Sequence, residues 1–97
     1  MMKDLHIRIH GRVQGVFYRQ WTITEASAKG LSGWVRNCTD GTVEAWFSGE
    51  EQSVDEMFMM CRKGSPASFV ASIDILPPEK SGLPEVQEGV FRKEKTC

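Results

Sequence analysis

The residues able to do chemistry stand in two short stretches. The first, Gly11-Arg12-Val13-Gln14-Gly15-Val16-Phe17-Tyr18-Arg19, is a glycine-bounded loop that runs into a helical pattern with an arginine in its first turn. Backbone N–H groups at such a junction have no intrahelical acceptor, the helix dipole adds positive character, and a guanidinium grips two oxygens at once. A phosphoryl group suits this cradle. The second stretch ends in Asn37, whose side-chain amide is donor and acceptor together and so can orient a water without being a base. Phosphoryl transfer asks mainly for positioning and charge stabilisation. Arg19, the amides from Val13 to Tyr18 and Asn37 therefore suffice if the fold brings them together.

Other chemistries fit less well. The loop lacks the Gly-Lys-Ser/Thr ending of a nucleotide P-loop and the glycine spacing of a dinucleotide fold, which argues against ATP and NAD as ligands. His6 and His10 fall on an alternating stretch, and four residues along a strand span ~13 Å, too far to share one ion. Cys61 lies on an apolar helical stripe, and Ala67 stands where a cysteine-type phosphatase carries arginine. Cys38, Cys61 and Cys97 form no CxxC pair and resemble neither a zinc site nor a disulfide framework. Three unlinked thiols and a cytoplasmic location are expected, since the cysteines lack pairing motifs and no signal-like apolar segment opens the chain; separately, no metal and no organic cofactor are expected.

A formal net charge of -1 gives no general attraction to nucleic acid or membrane, and no run reaches the ~18 apolar residues of a membrane span. The expected partner is small, and the chain is expected to act as a monomer. Arg8, Arg12 and Arg36 read as surface charges that raise the local potential for an anion. With 97 residues, one domain spanning 1–97 is expected.

The elements that must position Arg19 and Asn37 follow from periodicity. Leu5, Ile7 and Ile9 alternate with polar residues as in a strand ending near Gly11, and Phe17, Trp21, Thr24 and Ala28 recur as in a helix stopped by Gly30. Trp34 to Asn37 and Thr42 to Phe47 read as two strands joined through the hairpin signal Asp40-Gly41. Ser53 and Glu56 have capping-box spacing, and Val54, Met57, Phe58 and Cys61 predict a second helix ending near Gly64. Phe69, Ala71, Ile73 and Ile75 alternate as in a further strand, and a short one is expected around Val90 to Arg92. The order β-α-β-β-α-β plus a small strand predicts an α+β fold, an antiparallel-rich sheet with both helices on one face. In such a sheet the loop after the first strand lies beside the central hairpin.

At these residues the chain closely resembles the acylphosphatase family, through Gly11 to Arg19 and through Gly33-Trp34-Val35-Arg36-Asn37 followed by Asp40-Gly41-Thr42-Val43-Glu44. The resemblance runs from about Leu5 to Arg92. It implies a ferredoxin-like sandwich and metal-free hydrolysis of a small acyl phosphate to a carboxylate and inorganic phosphate. Carried over by position, Arg19 is the phosphate-binding arginine, Asn37 orients the nucleophilic water, and Val13, Gln14, Gly15, Val16, Phe17 and Tyr18 line the phosphate loop. One departure is Cys38, where the family often has threonine after the asparagine. A free thiol there would lie beside the site and crowd it when alkylated, and Thr39 would take over some support of Asn37.

A second reading, of another class, is a ferredoxin-like module that binds RNA or a small ligand without catalysis. Trp34, Trp46, Phe47 and Tyr18 would stack single-stranded RNA if exposed, although the basic-glycine-aromatic signature of that module is missing. Packing of Trp34 and Trp46 on the outer sheet face or under a loop is the expected alternative.

Overall fold

The computed structural model describes all residues, Met1–Cys97, in the order β1 (Met2–Arg12), α1 (Tyr18–Ala28), β2 (Ser32–Asn37), β3 (Val43–Glu50), α2 (Glu51–Lys63), β4 (Phe69–Leu76) and β5 (Phe91–Lys93). The strands form one sheet in the order β4-β1-β3-β2-β5. All neighbours are antiparallel except β2 and β5. This is the α+β, ferredoxin-like arrangement, with the extra strand at the sheet edge.

Alternation decides the two faces. Leu5, Ile7 and Ile9 of β1 join Val43, Ala45 and Phe47 of β3 and Val35 of β2 in one buried cluster with Tyr18 and Ala26 of α1 and Val54, Met57 and Cys61 of α2. The residues between them face the other way, in cross-strand rows: His6 opposite Trp46 opposite Trp34, and Arg8 opposite Glu44 opposite Arg36. Trp34 and Trp46 are nonetheless fully buried, Trp34 against Arg36 and His6 and Trp46 against His6 and the segment after β4. Pro77 offers its carbonyl to His6 Nδ1 at 3.2 Å, and the Lys80 ammonium sits 5.9 Å from the Trp46 ring centre. The four aromatic side chains expected to stack RNA are therefore not on the surface, since Phe47 and Tyr18 are buried as well.

Several local expectations are corrected. The fully buried residues of α1 are Tyr18, Thr22 and Ala26; of the expected stripe, Trp21 packs on the core partly buried, whereas Phe17, Thr24 and Ala28 are exposed. Phe17 precedes the helix in a left-handed conformation and is 85% exposed, which rotates the apolar face by one residue. α2 starts at Glu51 rather than at a Ser53 cap, for the Glu51 N–H is satisfied by the Met1 carbonyl at 2.8 Å. In β4, Val70 and Ile73 pack on the core while Phe69 and Ile75 are exposed. β4 is an edge strand paired with β1 through a register shift at His10/Gly11, so simple alternation fails there.

Candidate active site

The loop from Val13 to Phe17 joins β1 to α1 under two anchors. Val13 is buried in the core, and Val16 packs against it. Gly15 (φ +73°) and Phe17 (φ +61°) both take left-handed backbone, a turn that glycine adopts freely and phenylalanine does not. Tyr18 then fixes the start of α1, donating its hydroxyl to the Cys61 carbonyl at 2.9 Å. Burial and the neighbouring Cys61 push the Tyr18 phenol far above its ordinary pKa, so it serves as an anchor and not as an acid. None of the N–H groups from Val13 to Phe17 donates to a backbone or side-chain acceptor in the chain. A strained loop with a row of unused donors at a helix start is the geometry an anion requires.

Asn37 ends β2 at the hairpin. Asp40 closes the turn by accepting the Thr42 N–H at 3.0 Å and the Thr42 hydroxyl at 2.6 Å, and these bonds hold its carboxyl below its ordinary range. Gln14 ties loop to hairpin. Its side-chain amide donates to the carbonyls of Cys38 at 2.8 Å and Thr42 at 2.7 Å. Gln14 and Val16 thus turn their side chains to the hairpin and the core, and neither lines the pocket described next.

Arg19 and Asn37 share one pocket of about 290 Å³, lined also by Val13, Gly15, Phe17, Tyr18, Gln20 and Lys93. Of the residues expected at the site, all but Gln14 and Val16 line it. Arg19 forms no ion pair and no hydrogen bond with its own side chain. The Asn37 side-chain oxygen is buried without a donor from the chain. No carboxylate lines the pocket, so its two cationic side chains leave it positive.

Lys93 and Gln20 were not foreseen. Lys93 enters from β5, in parallel register with Val35, two residues before Asn37 on β2. Beyond β5 the chain keeps following β2: Glu94 donates its N–H to the Val35 carbonyl at 2.9 Å, Cys97 donates to the Asn37 carbonyl at 2.9 Å, and Thr39 donates to the Cys97 carbonyl at 3.2 Å. A disulfide between Cys38 and Cys97 closes this arrangement. The expectation of three unlinked thiols is thereby overturned, and with it the cysteine argument for a cytoplasmic location and the free thiol beside Asn37. Only Cys61 is unpaired, and burial pushes its pKa up to about 12, which makes it inert. No helix is long and apolar enough to cross a membrane.

Cys38, Cys97 and Glu44 bring their ligand atoms within 4.8 Å of one another. This set is poorly suited to a cation, because the sulfurs are bonded to each other and Glu44 is already neutralised. Arg36 reaches its Oε1 at 2.8 Å while His6 faces its Oε2, and the Arg36 guanidinium lies 5.0 Å from the Trp34 ring centre. Burial resists ionisation of Glu44, yet the hydrogen bonds and charges of His6 and Arg36 outweigh it and hold the carboxyl below 4.5. Arg8, 4.0 Å from Glu44, and Arg36 therefore serve the outer sheet face and do not line the pocket. His10 pairs with Asp74 at 2.8 Å, away from it.

Comparison with known proteins identifies the family and the fold. The family model Acylphosphatase matches residues 5–84. The chain is 48% identical over 85 residues to an acylphosphatase of Rhodospirillum rubrum, covering 84% of this chain and 93% of that one. It is 54% identical over 69 residues to an acylphosphatase of Rhizorhabdus wittichii, covering 71% of this chain and 70% of the relative. Among solved structures, the crystal structure of acylphosphatase from Bacillus subtilis superposes with a TM-score of 0.81 at 32% identity, over 97% of this chain and 99% of that one. By sequence and by fold, the chain belongs to the acylphosphatase family and is a hydrolase acting on acid anhydrides.

Proposed function

We propose that the chain hydrolyses small acyl phosphates with Arg19 and Asn37 as its catalytic residues. The observation that carries this reading is their meeting in one acid-free pocket beside a loop with unused N–H donors. The phosphoryl group lies on the loop amides and Arg19, which neutralise charge that the transition state spreads over its oxygens. Asn37 orients a water whose oxygen forms a new bond to phosphorus while the bond to the acyl oxygen breaks in line. The carboxylate leaves with the bond electrons, and the water proton passes to the phosphate oxygens. A carboxylate is a good leaving group, so no general acid is needed. The chain acts as a monomer and without metal or organic cofactor in this reading, and nucleic acid and membranes are not its partners.

Hydrolysis of benzoyl phosphate, followed at 1 mM EDTA with inorganic phosphate as competitor, tests this. Turnover that EDTA leaves intact and phosphate inhibits competitively is expected. An inactive protein, or one silenced by EDTA, overturns the reading.

A further inference from the structure

The pocket contains one cation more than the phosphoryl group uses. Val13 and Tyr18 are buried at its floor, and Arg19 and Asn37 are half-buried, whereas Phe17, Gln20 and Lys93 stand exposed at its rim. Arg19 and the loop amides from Val13 to Phe17 already match a phosphate dianion. Lys93 has no acidic partner, although the neighbouring Arg92 pairs with Glu94 at 2.5 Å. Its backbone is also unusually well held for a residue near a chain end. β5 pairs with β2 on one side of it, the Glu94 and Cys97 N–H groups bond to β2 beyond it, and the disulfide to Cys38 fixes the end. A cation anchored at the mouth, beside an apolar Phe17 ring, faces whatever extends outward from the bound phosphoryl group.

We infer that Lys93 is a specificity-determining residue that favours acyl phosphates whose acyl part carries a second anionic group. This inference rests on the acyl phosphate reading above. Phe17 offers its face to the carbon skeleton of the acyl group, and the Lys93 ammonium meets the distal carboxylate or phosphate. Because the ammonium is exposed, the preference is modest and weakens with added salt.

A matched pair of substrates, benzoyl phosphate and 4-carboxybenzoyl phosphate, isolates the added charge. Lys93→Met should raise KM for the carboxylated substrate about fivefold. The rise in KM for benzoyl phosphate and the loss of inhibition by inorganic phosphate should be much smaller than this, with kcat for both substrates little altered, while Lys93→Arg should retain the preference. An equal rise in KM for both substrates, with weaker phosphate inhibition, would place Lys93 on the phosphoryl group and overturn the inference. So would unaltered kinetics of Lys93→Met on both substrates. Absence of hydrolysis of either substrate by the unaltered protein sinks the acyl phosphate reading itself, and this inference with it.

Discussion

Gln14 donates its side-chain amide to the backbone carbonyl of Cys38 at 2.8 Å, which couples the anion loop to the residue next to Asn37. The same amide reaches the Thr42 carbonyl, so one side chain spans loop and hairpin. Gln14→Ala should cost about 1–3 kcal/mol of stability by removing two hydrogen bonds, although the Cys38 and Thr42 carbonyls keep the backbone donors Gly41 N–H and Cys38 N–H. It should lower kcat by about tenfold, since misplacement of a positioning group is felt in the rate. Urea unfolding and steady-state kinetics on benzoyl phosphate check both. A full loss of stability with unchanged kcat would deny the coupling.

Arg19→Ala should behave differently. Arg19 is half-buried and has no partner in the chain, so its removal should change folding stability by no more than about 0.5 kcal/mol. kcat/KM should fall by about 10²–10³ because bidentate charge stabilisation is lost from ground and transition states together. Phosphate binding, measured by calorimetry, should weaken in parallel. Retained phosphate affinity would remove Arg19 from the cradle.

For Asn37→Ala, stability and activity should move in opposite directions. The Asn37 side-chain oxygen is buried without a donor, a cost of ~1 kcal/mol that alanine removes. Thermal stability should therefore stay level or rise while kcat falls about 10²-fold and phosphate affinity holds. A variant with normal turnover would end the water-orienting role.

The pairing of Arg19 with Asn37 was legible because both lie in compact local patterns, and the β-α-β-β-α-β order dictates that those patterns meet. The rest failed for identifiable reasons. Lys93 sits on a three-residue strand, too short to carry a period, whose position comes from tail bonds to β2. The Cys38–Cys97 bond spans a separation of 59 residues, over which spacing says nothing about distance. The α1 stripe is displaced because left-handed Phe17, the first residue of the sequence period, lies outside the helix. β4 misled because an edge strand with a register shift leaves Phe69 and Ile75 in solvent.

The disulfide makes a countable prediction. Thiol titration of the folded, unreduced protein should find none reactive, because Cys61 is buried and Cys38 and Cys97 are bonded. Unfolding without reductant should release one thiol, and reduction should release three. Cys97→Ser should lower stability by about 2–4 kcal/mol through the freed loop entropy. Alkylation should not slow turnover until reductant is added. Two reactive thiols in the folded, unreduced protein would deny the bond.

Acid should act through Glu44. Its folded carboxyl titrates below 4.5, so the stability it contributes is complete above that value and is lost as the pH falls through the lower folded value. The sign follows from protons: below 4.5 the unfolded chain takes one up at this position while the folded chain, with Arg36 and His6 against the carboxylate, resists it. Glu44→Gln keeps the shape but removes the charge, and leaves Arg36 facing a neutral amide, at a cost of about 2 kcal/mol at neutral pH. Between neutral pH and values below 4.5 the melting temperature of the unaltered protein should then fall more steeply than that of the variant. Parallel declines would mean that the acid sensitivity arises at other carboxylates and that the buried Glu44 cluster does not set it.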